Sequence, residues 1–171
     1  MTPLRFAVRF VLGFAVLLAA FEASRGTAFE RFVVEGLILH PAALVINLLH
    51  PTEHVQLIGR TLAFDAGAAL RVTRGCEGIE MFLLLIAAIL AFPASWQRRA
   101  QGLLVGSLLA YVLSIIRLTL LCLILRYSPT LWEALHGLVL PLGPIVLLAI
   151  YFARWSALAS VPSAQPAPRA A

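Results

Sequence analysis

Four long apolar runs, each nearly free of charge, constrain this chain more than any other feature. They cover residues 6–23, 78–93, 102–125 and 131–153. A helix that crosses a bilayer needs about 20 largely apolar residues. In lipid, a lone segment satisfies its own backbone only as a helix. Charged residues make up 12% of the 171 residues, against about 25% in ordinary soluble domains. The runs therefore predict an all-α integral membrane protein with about four transmembrane helices, built as a single membrane domain over residues 1–159. The Pro/Ala/Ser-rich stretch 160–171 reads as a disordered tail.

Two stretches do not fit the simple pattern. Phe32–Leu49 is apolar but carries Glu35, His40, Pro41 and Asn47, which are costly to bury in lipid. It is expected to form one or two amphipathic helices at the outer interface. Thr61–Phe64 and Ala69–Val72 flank Asp65-Ala66-Gly67, a turn-forming sequence that suggests a short hairpin. The first run has Arg5 just before it and Arg9 near its start, as a signal peptide would. Glu22, Ser24 and Arg25 then stand where a small-residue cleavage site belongs, so an uncleaved anchor is expected.

The formal net charge is +5 and all thirteen basic residues are arginine. They gather at the ends of the apolar runs, which suits interface anchors and not a nucleic-acid surface. Arg5 and Arg9, Arg98 and Arg99, and Arg154 mark places with no acidic residue nearby. All eight acidic residues lie between Glu22 and Glu80 or at Glu133. This asymmetry predicts that both termini and the 93–102 loop face the cytoplasm.

That topology brings three reactive residue types to one depth. Cys76 precedes a span that starts outside, Arg117 lies in the outer half of the next, and His136 opens the last. Taken singly, each has a plainer explanation: a packing cysteine, a snorkelling arginine, a structural histidine. Together they make a set suited to acyl transfer. A thiolate is a nucleophile, and a helix start beside Cys76 favours negative charge. His136 serves as base or proton donor. The permanent charge of Arg117 suits an oxyanion or a substrate carbonyl. Gly75 and Gly78 would let a substrate backbone approach the sulfur. Cys122, inside an apolar run, reads as an inert packing residue.

Arg74-Gly75-Cys76-Glu77-Gly78-Ile79-Glu80, with the apolar run ending Ala91-Phe92-Pro93, resembles the exosortase/archaeosortase family. So do Ser114-Ile115-Ile116-Arg117-Leu118 and His136 at the head of the last run. The resemblance covers about residues 72–155, and the short length and the Gly-Cys-x-Gly form resemble the small exosortase H or M types. Two positions depart from the commoner pattern: Ser114 where many relatives have Asn, and Glu77 where many have Ser. The resemblance implies a catalytic triad of Cys76, Arg117 and His136 facing the extracytoplasmic side of the cell membrane. Arg74, Glu77, Glu80 and Ser114, within the same motifs, become candidate substrate contacts. The implied activity is a cysteine endopeptidase/transpeptidase acting on exported proteins. Such substrates carry a C-terminal sorting tail of motif, transmembrane helix and basic cluster. Membrane lipid is the expected surrounding, and no cofactor, metal or nucleic acid is implied.

The alternative is a non-enzymatic membrane assembly or scaffold protein that uses Arg117 and His136 only for packing. His50 and His54 have ligand-like spacing around Glu53, but Pro51 breaks a helical pair and no cysteine cluster joins them. A Gly-x-Ser nucleophile signature of a rhomboid-like serine protease is absent from the sequence.

Overall fold

The computed structural model describes residues 2–52, 54–65, 67–73 and 75–159, with Glu133 described by its backbone alone. Arg74 and the 160–171 tail lie outside the described residues. The fold is mostly helical. Its long helices are α1 (Pro3–Ala23), α2 (Ala28–Leu49), α4 (Trp96–Tyr127) and α5 (Leu135–Ala159), each long and apolar enough to cross a membrane. Helix α3 (Ile79–Ala91) is apolar but has only 13 residues, about 20 Å at 1.5 Å per residue.

The set that qualifies by length thus differs from the one expected. It contains α2, and it leaves out the 78–93 run. Phe92, extended at φ −75° and ψ 138°, precedes Pro93, which disfavours helix in the residue before it. At the other end Gly78 adopts φ +81°, a left-handed turn into the helix. Helix α3 sits in the middle of the bundle, against α1, α4 and α5. Its short length is covered on several sides, with Leu85, Ala88 and Ile89 buried.

Strands β1 (Val55–Ile58), β2 (Thr61–Phe64) and β3 (Ala69–Arg71) form one antiparallel sheet in the order β1-β2-β3. The expected hairpin is the β2–β3 pair, with Leu62 opposite Leu70 and Gly67 at φ +93° in its turn. The mostly helical fold is consistent with the all-α expectation, and strand β1 extends the expected hairpin by one strand. Val55, Leu62, Phe64 and Leu70 point inward and are buried, an alternation that matches the strand period.

Both ends of α2 are tied to this sheet. Glu30 pairs with Arg60 at 2.6 Å, in the β1–β2 turn. Asn47 brackets Val55, accepting from its N–H at 2.7 Å and donating to its carbonyl at 3.1 Å. Helix α2 therefore lies along the sheet. Its buried face, Val34, Ile38, Ala42 and Ile46, joins Leu62, Leu118, Leu121 and Cys122 in one core.

Two stretches are π-wound: Phe32–Leu39 in α2 and Leu135–Val139 at the head of α5. Each is followed closely by a proline, Pro41 and Pro141. Proline has no N–H for the carbonyl four residues back, and its ring crowds that carbonyl. The helix widens just upstream, where the ladder is interrupted.

Candidate active site

The loop between β3 and α3 carries Cys76. Its backbone N–H donates to the Thr73 carbonyl at 3.1 Å, and Gly75 at φ +80° turns the chain. Cys76 is half-buried and unpaired. Its Sγ lies 3.5 Å from His136 Nε2, within reach of a sulfur hydrogen bond. Thr73 Oγ1 is 3.9 Å from the same sulfur.

His136 is held from its other side. Its ring stacks on Trp132 with centroids 4.8 Å apart and planes 10° from parallel. The two are spaced i, i+4, so they share a helix face. The π-wound turn at Leu135–Val139 contains the histidine, and such turns often occur at functional sites.

Arg117 projects from α4 and is buried, 6% exposed. Its Nη2 donates a long, weak hydrogen bond of 3.4 Å to the Gly75 carbonyl, one residue before the cysteine. Among the described residues its Nε is buried without a hydrogen-bond partner and no carboxylate pairs with the guanidinium. A buried, unpaired cation is expensive. Here it has donor capacity left over, beside the loop that carries the thiol.

Of the candidate substrate contacts, Ser114 is buried one turn before Arg117, and its Oγ has no hydrogen-bond partner among the described residues. A Cβ added at Gly78 would fall 2.7 Å from that oxygen. The glycine is thus needed for the close approach of α4 and for its left-handed φ, a reason different from substrate access. Glu80 lies half-buried in the first turn of α3.

Glu77 is fully buried and engaged by two arginines. Arg25 Nη1 lies 3.2 Å and Arg60 Nη1 3.0 Å from its carboxylate. The same arginines hold Glu30, at 3.1 and 2.6 Å, and Glu22 joins Arg25 at 2.8 Å. Two arginines and two glutamates alternate around a closed ring. It clamps the Cys76 loop to the α1–α2 corner and to the sheet. Burial pushes the Glu77 carboxyl up, and Arg25 and Arg60 oppose it. Nothing in the sequence singled out Arg25, Glu30 or Arg60 for this role, because the ring joins segments up to 52 residues apart.

His50 sits against Tyr127, whose hydroxyl is 3.3 Å from His50 Nδ1. Among the described residues no group of three or more His, Cys, Asp or Glu side chains comes together as a metal site. No family model, curated protein or solved structure matches this chain.

Proposed function

We propose that the chain is a multi-pass cysteine endopeptidase/transpeptidase of the exosortase type in the cell membrane, with Cys76, Arg117 and His136 as its catalytic residues. The observation that carries this reading is the 3.5 Å approach of Cys76 Sγ to His136 Nε2, two residues 60 positions apart. Arg117, at the Gly75 carbonyl, supports it.

With Nε2 unprotonated, His136 takes the proton of the Cys76 thiol. The sulfur attacks the scissile carbonyl carbon, and the developing oxyanion is stabilised by the spare N–H groups of Arg117. When the tetrahedral intermediate collapses, the C–N bond breaks and the amine leaves with the proton from His136. An acyl thioester remains on Cys76. An acceptor O–H or N–H, deprotonated by His136, then displaces the sulfur and restores the thiol. Water as acceptor gives hydrolysis, and a surface nucleophile gives transfer.

The substrate class is exported protein with a C-terminal sorting tail, inferred from the motif resemblance. The site faces the extracytoplasmic side in this reading, because Arg5, Arg9, Arg98, Arg99 and Arg154 gather at the opposite end of the helices. The test is cleavage of a co-expressed tail-bearing protein. Wild type cleaves it and Cys76→Ala does not. Unchanged function of a Cys76→Ala protein would favour the scaffold reading.

A further inference from the structure

The end of the bundle away from Cys76 has a strongly one-sided charge. It collects the start of α1, the end of α3, the start of α4 and the end of α5. Arg5, Arg9, Arg98, Arg99 and Arg154 lie there, and none of residues 1–21, 81–132 or 134–171 is acidic. The 32-residue helix α4 starts at this end, with no side-chain cap from Ser95 and no acidic residue in its first turn. Its positive dipole end is therefore uncompensated and carries further positive charge.

A groove of about 540 Å³ opens there between α1 and α3. Its mouth is formed by Arg9 and Arg99, and its walls by Leu12, Val16, Leu17 and Leu90. The two helices come close at its floor, where a Cβ on Gly13 would lie 3.9 Å from that of Ala87. Leu12 and Val16 are 60% and 67% exposed, so the walls are open toward the surroundings. Arg99 gives one Nη2 hydrogen bond to the Phe92 carbonyl at 2.9 Å, and its Nε is buried with no hydrogen-bond partner among the described residues.

We propose that this groove is a binding site for one anionic phospholipid, its phosphate against Arg9 and Arg99 and an acyl chain along Leu12, Val16 and Leu90. The occupant must be anionic at one end and apolar for the rest. From Arg9 to Val16 the wall runs about 10 Å, seven residues of helix. A free phosphate would fill only the mouth and leave the apolar length uncovered. A phospholipid fits both parts, and its charge offsets two arginines beside a helix N-terminus. This inference is independent of the catalytic assignment.

The experiment is native mass spectrometry of the full chain purified in detergent, with equimolar dioleoyl phosphatidylglycerol and dioleoyl phosphatidylcholine supplied. The expected result is retention of one phosphatidylglycerol in preference to phosphatidylcholine by roughly tenfold. Arg9→Gln with Arg99→Gln should bring the preference to near parity. Arg5→Gln with Arg154→Gln removes the same charge outside the groove and should preserve it. Leu12→Trp with Val16→Trp, at exposed positions that do not disturb packing, should abolish it by filling the groove with both arginines intact. Equal retention of the two lipids by the wild type would overturn the proposal. So would equal loss in the Arg5/Arg154 control, which would mean diffuse attraction to the whole end. A lipid-free dimer would overturn it by making the occupant a second copy.

Discussion

Cys76 Sγ and His136 Nε2 stand 3.5 Å apart, and the histidine ring is backed by Trp132 in a parallel stack. The sulfur sits on a loop and the imidazole at a π-wound helix start, so both atoms depend on local backbone that is not regular α-helix. Removing the imidazole should cost general acid/base catalysis, worth about 10²–10⁴ in rate. His136→Ala is expected to lower cleavage by that order while the protein still inserts and the Cys76 thiol is still alkylated. Undiminished cleavage would remove His136 from the mechanism.

Trp132→Ala tests the positioning of the histidine. Aromatic stacking contributes about 0.5–1.5 kcal/mol, so cleavage should fall by roughly tenfold or less. Trp132→Phe, which keeps a ring to stack on, should recover most of it. The readout that separates positioning from general damage is kcat with KM unchanged.

Arg117 sets two physical roles against each other. An anchor that only reaches the interface is replaced well by Lys. A fork of donors aimed at a carbonyl oxygen is not. Arg117→Lys is expected to insert normally and lose about 10²–10³ in processing rate. Near-normal cleavage at matched membrane levels would demote Arg117 to an anchor and leave the Cys76–His136 pair in place.

The ring of Arg25, Glu30, Arg60 and Glu77 predicts a stability effect. Glu77 is 0% exposed, and removing it opens the ring and leaves Arg25 and Arg60 to share Glu30 alone. Breaking a buried pair costs about 3–5 kcal/mol. The value for Glu77→Ala should lie toward the lower end, because both arginines keep Glu30 and the Arg60 side chain is 29% exposed, so solvent takes up part of its charge. Thermal unfolding in detergent should show a clear drop for Glu77→Ala. Arg60→Gln should show a smaller one. Equal and negligible shifts would mean that the ring is not a clamp on the Cys76 loop.

Topology has its own test. Accessibility labels at Arg98–Arg99 and at Asp65 should react from opposite sides of the membrane, with Asp65 outside. Labelling from one side would remove the shared depth of Cys76, Arg117 and His136.

Much of the arrangement was legible in the sequence because the apolar runs are long and the polar residues within them few. Cys76, Arg117 and His136 stood out as reactive groups at or inside such runs. The β2–β3 hairpin was legible from its Asp65–Gly67 turn. Strand β1 was not: Val55–Ile58 is four residues long and follows a stretch rich in His, Pro and Thr, where periodicity carries no signal. The α2 segment was ambiguous for a physical reason. It is as long and apolar as a span, yet Glu30 and Asn47 bind it at both ends to one small sheet, a pairing no local pattern encodes. The place of Glu77 in the ring was hidden likewise: its motif made it a candidate substrate contact, and the arginines that engage it, Arg25 and Arg60, come from elsewhere in the chain. The Trp132–His136 stack could have been found, from its i, i+4 spacing alone.

The central claim is that Cys76 forms a covalent acyl-enzyme. Intact-mass and peptide mass spectrometry of the chain, co-expressed with a tail-bearing protein and quenched in acid, tests it most directly. The account predicts a fragment of the substrate on Cys76 in a bond cleaved by neutral hydroxylamine, as a thioester is, and no adduct in Cys76→Ser. Efficient substrate cleavage with no adduct at Cys76, and undiminished cleavage by Cys76→Ala, would contradict it.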